Sequence, residues 1–368
     1  MRFIFFILFI LLLSPKGGTL FYIYGIRWVY VMLVSFLGTY LFTPFFIKIS
    51  HKVGILDIPD EERKFHKKPT PLLGGFAILI GFIIACIRNL RFTPSFLSIV
   101  IAGIFVYFSG FIDDWKKGVS ATLRLFLQFF AVTLIIVNGV RITAFPHFFG
   151  ENFLEIFFTY LGVIGIINAV NYFDGLNGLA SLMSISSGIS FLIIAISTNQ
   201  IYLSFILSAF IGSILGFLPY NFPKAKIFLG DGGSYFLGFI LSSCAIMGSW
   251  KQEVYNPLIA IITPVSILSV FIYDMIYTTI SRIKNGSVRN FREWLEFTGR
   301  DHFHHRLLNL GMGEIKTTLF ISGLVLLTGI GGVLIRKATS VDAWLLFLQI
   351  VILFLLITEI MLAGREVH

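Results

Sequence analysis

Long apolar stretches separated by short polar ones run through almost the whole chain. Eleven are long enough to cross a hydrocarbon core as α-helices: 28–48, 71–87, 96–112, 121–138, 154–170, 178–196, 201–217, 233–249, 256–280, 317–335 and 342–363. Apolar and polar residues do not alternate within them, which excludes the strands of a membrane barrel. The pattern predicts an all-α, polytopic membrane helix bundle of about eleven transmembrane helices. The longest polar stretch, about 281–316, leaves no room for a soluble domain, and no internal repeat is visible. The expected organisation is one membrane domain over 28–368, preceded by an apolar segment over 1–27. In that segment Arg2 precedes the apolar run Phe3–Leu13, which is too short to span alone. Ser14-Pro15-Lys16 lacks the small-x-small pattern of a cleaved leader. An interfacial position is one reading of it.

Composition agrees. Apolar residues make up 57% and charged residues 13%, against about 25% charged in a soluble domain. Mean hydropathy is +0.89. A soluble enzyme, a disordered chain and a secreted disulfide scaffold are excluded. Cys86 and Cys244 lie in separate apolar runs and read as small core residues. The net charge of +9 raises the question of nucleic acid, but its distribution answers it differently. The loops after the first, third, fifth, seventh and ninth spans, with the C-terminus, hold Lys52, Arg63, Lys64, Lys67, Lys68, Lys116, Lys117, Lys224, Lys226, Arg282, Lys284, Arg289, Arg292, Arg300, Arg306, Lys316 and Arg365. The alternate loops hold Arg88, Arg91, Arg141, Lys251, Arg336 and Lys337. Basic residues flank the cytoplasmic ends of spans, so the first set is expected inside, and no nucleic-acid partner is expected.

Five polar clusters fall in that same set of loops: Asp57–Gly75, Asp113-Asp114, Asn168–Asn177, Asn221–Ser234 and Asp301–Arg306. The predicted site is therefore composite and lies on one face, whereas a channel or pump scatters ionisable groups through its depth. Asp113 and Asp114 close a helix, where carboxylates oppose the dipole; a bound Mg²⁺ or Lys116 would relieve them. Asn168, Asn171 and Asp174 recur every third residue and share one face if the helix persists. Asn177 suits a cap for the next helix. Gly230-Asp231-Gly232-Gly233 opens another, a backbone suited to phosphate. Beside it, Asp231 makes sense if a metal bridges the two. His302, His304, His305 and Arg306 could serve a metal or a diphosphate, or simply form a basic loop. Lys64, His66, Lys67 and Lys68 precede Pro71, which suits a first helical turn, and Gly74-Gly75, which allow close backbone approach. Asp274, deep in the ninth span, is expected to face a polar cavity or to pair with a basic residue such as Arg282. Carboxylates, amides, a phosphate nest and cations on one face form the toolkit of phosphoryl transfer, with at least one lipid substrate.

At this point the motifs jointly resemble a known family. Asp57-x-Pro59, Arg63-Lys64-x-His66, Pro69-Thr70-Pro71, Gly74-Gly75, Asp113-Asp114, Asn171-x-x-Asp174-Gly-x-x-Gly178, Gly230-Asp231-x-Gly-Ser234 and Asp301-His-x-His304-His305-Arg306 follow the order seen in the polyprenyl-phosphate N-acetylhexosamine-1-phosphate transferases. The resemblance implies attack by undecaprenyl or another polyprenyl phosphate on the β-phosphate of a UDP-N-acetylhexosamine. UMP leaves and a lipid-linked sugar stays in the bacterial cytoplasmic membrane, with the site facing the cytoplasm. It implies Mg²⁺, with Mn²⁺ as the alternative, and members are often homodimers. Carried over, Asp113 becomes the base for the lipid phosphate, while Asp114 and Asp231 become the metal ligands. Asn171, Asp174 and Asn177 line the nucleotide-sugar site, and Asn221 and Phe228 hold uracil. Lys67, His302, His304, His305 and Arg306 take the diphosphate or the sugar. The His-x-His-His pattern is similar to the branch that uses UDP-GlcNAc, priming O-antigen, teichoic acid or similar polymers. The other branch uses UDP-MurNAc-pentapeptide and carries three adjacent histidines. Here the segment Val288–Gly299, where the family reads the sugar, is longer than usual and contains Arg292, Glu293, Trp294 and Glu296. A transporter of lipid-linked or nucleotide sugars is the alternative from another class. It requires inverted repeats and polar residues through the bilayer, and neither is seen. A purely structural membrane protein is disfavoured by the one-sided site.

Overall fold

The computed structural model describes residues 2–59, 68–91, 93–116, 118–143, 153–250, 257–290, 293, 294, 297 and 299–363. Nearly all of them are helical. A helix or helix pair falls on each of the eleven predicted stretches: α3 (Arg27–Val53), α4 (Gly74–Asn89), α5 (Pro94–Lys116), α6 (Ala121–Val137), α7 (Phe153–Tyr172), α8 (Leu179–Ser197), α9 (Ile201–Asn221), α10 (Gly230–Met247), the pair α11 (Pro257–Ile267) and α12 (Ser269–Lys284), α14 (Glu314–Ile335) and α15 (Ser340–Ala363). Two short helices, α1 (Arg2–Leu13) and α2 (Thr19–Ile23), precede them, and α13 (Phe303–Asn309) lies between the last spans.

The expected count of eleven crossings is not established. Among the described residues, seven helices are long and apolar enough to cross a membrane, or eight if the pair α11–α12, bent by 77°, is one span. Helices α4 and α6 are apolar but shorter, and α10 opens with a polar first turn, Gly230–Ser234. The break between α11 and α12 sits at Leu268, four residues after Pro264. At the break, the hydroxyl of Ser187 reaches the carbonyl of Ile267 at 3.4 Å. In lipid such a gap must be filled from within the protein.

The apolar segment before the first predicted span forms helix α1. It packs antiparallel on α3: the Tyr30 hydroxyl donates to the Leu12 carbonyl at 2.7 Å, and the Phe5 and Tyr40 rings meet at 5.2 Å. Cys86 and Cys244 are buried free thiols, as expected of core residues.

Helix α10 is the centre of the bundle and touches α4, α5, α7, α8 and α9. Its approach to α4 and α5 is very close because glycines line the contacts. A Cβ on Gly75 would collide with the backbone of Gly233, and one on Gly110 with the backbone of Asp231. Small residues let helices approach in lipid, where little else draws them together. Pro71 does not open α4. It pairs with Leu56 in a two-strand ladder, Leu56–Asp57 against Thr70–Pro71. The chain then clasps α10: the Gly74 and Gly75 amides donate to the Phe228 and Leu229 carbonyls at 3.0 and 2.9 Å. These contacts set the spacing of the carboxylates described next. Gly110→Ala is expected to lower turnover by about 10²-fold, because a displacement near 1 Å at a reacting centre has that effect. A thermal-unfolding scan beside a steady-state assay checks it; unchanged turnover would show that the spacing tolerates an extra methyl.

Candidate active site

All five polar clusters meet at one cavity of about 2500 Å³. Its polar end holds Asp113, Asp114, Asn171, Asp174, Asn177, Asn221, Phe228, Asp231, His302, His304 and His305. Its other end is apolar, walled by Leu125 and Phe129 of α6, Leu161 and Ile164 of α7, and Met275 and Ile276 of α12. Lys64, His66 and Lys67 lie outside the described residues, as do Arg292 and Glu296 of the expected sugar-reading segment.

The carboxylates come from three helix ends. Asp114, at the end of α5, accepts the backbone N–H groups of Asp231 and Gly232 at 3.1 and 3.2 Å. The glycine-rich start of α10 is thus capped by Asp114, and these two donors are not free for phosphate as the sequence suggested. An anion at a helix N-terminus is favourable, which offsets the penalty at the end of α5. Asp231 accepts from the Asn171 amide at 2.8 Å, and that amide also reaches Ser234 at 2.9 Å. Helix α7 persists to Tyr172, so Asp174 falls in the following turn and still reaches the cavity wall. Burial, and then the charges of Asp231 and Asp114, push the Asp174 carboxyl well above its ordinary range. Burial likewise raises Asp231, in the polar first turn of α10, to about 6. Asp113 adds to that rise, while Asn171 and Arg124 oppose it. Such raised carboxyls crowded in one cavity are a mark of a functional site.

The cation beside this cluster is Arg124, not Lys116, which is exposed. Its guanidinium lies 2.8 Å from Asp113 and 3.8 Å from Asp231. Asp113 also accepts the Gly118 and Val119 amides at 3.2 and 2.9 Å. Three of its roughly four lone-pair sites are therefore taken by the protein. That suits holding Arg124 better than receiving a proton. Sequence reasoning missed Arg124, and also Gln128 one turn further on, whose amide oxygen accepts from Asn168 at 2.9 Å. An Arg and a Gln at i and i+4 in an otherwise apolar helix was the available signal.

The histidines divide. His304 is buried among its neighbours, with both ring nitrogens unpaired and Nε2 close to Gly175, where a Cβ would sit 2.6 Å away. Burial, and then His305 and His302, hold it well below its ordinary range, so it is neutral at pH 7. The His305 ring lies 4.1 Å from it, tilted by 40°, and is lowered by burial and then by His302. His302, expected to bind substrate, has its polar atoms engaged by protein: Asp274 at 2.7 Å and Arg282 at 3.2 Å. Arg306 is not on the cavity wall. It is buried, donates to the Asp301 carbonyl at 2.6 Å and lies over the Tyr277 ring at 4.6 Å. It braces α13 against α12. Asp274 pairs with His302, not with Arg282, whose partner is Asp301 at 2.7 and 2.8 Å. Burial alone would raise Asp301; these bonds and the Arg282 charge hold it below its ordinary range.

Elsewhere on the cavity wall, Asn177 does not cap α8, which starts after Gly178 in the left-handed region. The Asn177 amide instead faces the Pro223 carbonyl at 3.4 Å. Asn221 donates to the Ile227 carbonyl at 3.1 Å and shapes the loop that carries Phe228.

Do these groups suit a divalent ion? Among the described residues, no three His, Cys, Asp or Glu side chains are close enough to hold one alone. Mg²⁺ does not need that, since it takes one or two carboxylates and completes its shell with water and substrate phosphates. The crowded Asp114, Asp174 and Asp231 fit this demand.

A multi-pass helix bundle whose buried acids, amides and imidazoles share one cavity with an apolar trough defines a membrane-embedded phosphotransferase. Comparison with known proteins specifies it. The model of glycosyl transferase family 4 matches residues 96–249. A probable undecaprenyl-phosphate N-acetylglucosaminyl 1-phosphate transferase of Bacillus subtilis is 32% identical over 90% of both chains. An undecaprenyl-phosphate alpha-N-acetylglucosaminyl 1-phosphate transferase of Pasteurella multocida is 30% identical over 88% of this chain and 90% of its own. A phospho-N-acetylmuramoyl-pentapeptide-transferase of a Wolbachia from Brugia malayi is 32% identical over 70% of this chain and 84% of its own. The chain belongs to the polyprenyl-phosphate N-acetylhexosamine-1-phosphate transferases.

Proposed function

We propose that this enzyme transfers GlcNAc-1-phosphate from UDP-GlcNAc to undecaprenyl phosphate, making the first lipid-linked intermediate of a cell-surface polysaccharide. The observation that carries the reading is the make-up of this cavity: a cluster of acids at one end, an apolar trough lined by α6, α7 and α12 at the other. A substrate with an anionic head and an isoprenoid tail fits both ends at once. An oxygen of the lipid phosphate attacks the β-phosphorus of the donor. The bond from that phosphorus to the bridging oxygen breaks, and UMP departs with the electron pair. Arg124 faces the incoming phosphate charge from between Asp113 and Asp231. His304 offers a neutral N–H and His305 stands beside it, both on the cavity wall where the diphosphate or sugar would lie. Asn221 and Phe228 shape the uracil end, with Asn171, Asp174 and Asn177 between. Asp231 and Asp114 are the side chains that would hold Mg²⁺, which would neutralise the diphosphate charge. The excess of Lys and Arg on the same side supports a site facing the cytoplasm of a bacterial inner membrane.

The test is UMP release from membranes containing the protein. Release is expected only with both polyprenyl phosphate and a divalent cation present. The His302-x-His304-His305 spacing further predicts that UDP-GlcNAc is used and UDP-MurNAc-pentapeptide is not. Faster release with the pentapeptide donor would move the enzyme to the other branch, and movement of intact donor into vesicles without UMP would make it a transporter.

A further inference from the structure

Asp274 is fully buried, nearly three turns from the end of α12. A carboxylate there requires partners. It accepts the Phe303 amide at 2.7 Å, capping the first turn of α13, and it contacts His302 Nδ1 at 2.7 Å. The other ring nitrogen, Nε2, lies 3.2 Å from the Arg282 guanidinium. Arginine has donors and no acceptor. Nε2 must therefore accept, so Nδ1 carries the proton and donates it to Asp274. This fixes both the tautomer and the tilt of the imidazole. Arg282 in turn grips Asp301 with two bonds, and Arg306 donates to the Asp301 carbonyl. On its open face, the His302 ring stacks on Tyr172 at 4.5 Å. Tyr172 directly follows Asn171, the residue that holds Asp231.

We infer that Asp274 and His302 are positioning residues, a buried strut that sets α13 and thereby aims His304 and His305 at the acidic cluster. The inference rests on the transfer reading above. His302 then owes its place to being one donor and one acceptor on a flat ring, and not to contact with the substrate. Glutamine offers the same pair, a carbonyl for Arg282 and an amide for Asp274. Leucine offers neither.

The experiment compares Asp274→Asn, His302→Leu, His302→Gln and the double variant Asp274→Asn/His302→Leu. It measures kcat and KM for UMP release in membranes, and Tm of the purified protein. Asp274→Asn and His302→Leu are each expected to lower kcat roughly 10- to 100-fold, the range for groups that orient a functional side chain. The KM for the nucleotide sugar should stay within about threefold. The double variant should be no worse than either single one in kcat or in Tm, because both break the same strut. His302→Gln should restore kcat to within about threefold of wild type. A His302→Gln protein with normal Tm and the activity of His302→Leu would overturn the inference, since the imidazole would then act on substrate itself. Additive losses in the double variant would overturn it too. If Asp274→Asn does not accumulate, the contrast between Gln and Leu at 302 decides alone. Should the wild type release no UMP, the transfer reading fails, while the Tm cycle still decides whether the strut exists.

Discussion

Asp231→Asn is expected to reduce UMP release by roughly 10³-fold or more while leaving the fold intact, a loss of about 4 kcal/mol in transition-state stabilisation. The substitution is nearly isosteric. Its amide oxygen can still accept from Asn171, so the local hydrogen bond survives. What disappears is a negative charge between Arg124 and the other acids, at the position proposed to hold the ion on the diphosphate. The same change predicts the opposite sign for stability. A carboxyl whose folded pKa is raised stabilises the fold when protonated, and that contribution is lost as pH rises through the folded value. For Asp231 that value is about 6, so at pH 7.5 the wild type carries the unfavourable charge and the Asn variant does not. Tm at pH 7.5 should therefore be equal or higher in the variant, and the difference should shrink by pH 5. Activity lost together with Tm would point to a folding defect. Retained activity would remove Asp231 from the metal role.

The polar clusters were legible because a hydrogen-bonding side chain beside lipid needs a reason. Asp113, Asp114, Asn171, Asp174, Asp231 and His304 all reached the cavity for that reason. Which donor meets which acceptor was not legible, because that depends on helices meeting across long sequence distances. Asp274 looked ready for Arg282 on its own helix. Eight residues of α-helix rise about 12 Å, too far for a direct pair, and the actual partner is His302, 28 residues away. The start of α10 looked open to phosphate because Asp114, 117 residues earlier, could not be placed over it from sequence. Arg124 lies near the start of the predicted span 121–138, and nothing local in the sequence ties it to acids on other helices. The count of eleven crossings is not established among the described residues, because α4 and α6 are shorter than a full span and α10 opens with a polar first turn.

Arg124→Leu is expected to lower kcat by roughly 10²- to 10³-fold, the magnitude for removing one group that meets developing charge in a closed site. The argument is electrostatic. Asp113, Asp114, Asp174 and Asp231 share the polar end, where the proposed reaction brings in two phosphate-bearing substrates. A guanidinium 2.8 Å from one acid and 3.8 Å from another is held in place before substrate arrives. Arg124→Lys should recover about a tenth of the wild-type kcat, since charge is kept while the planar fork is lost. Asp113 separates the two roles open to it. If it takes a proton from the lipid phosphate, Asp113→Asn should abolish turnover, and its effect should multiply with that of Arg124→Leu. If it holds Arg124, as its bonds to Gly118, Val119 and Arg124 imply, Asp113→Asn should lower kcat more mildly. The double variant should then be no slower than Arg124→Leu alone. Rates for the four proteins at saturating donor and acceptor complete that cycle. Multiplying losses would return Asp113 to the role of base, because residues that act through one another do not add.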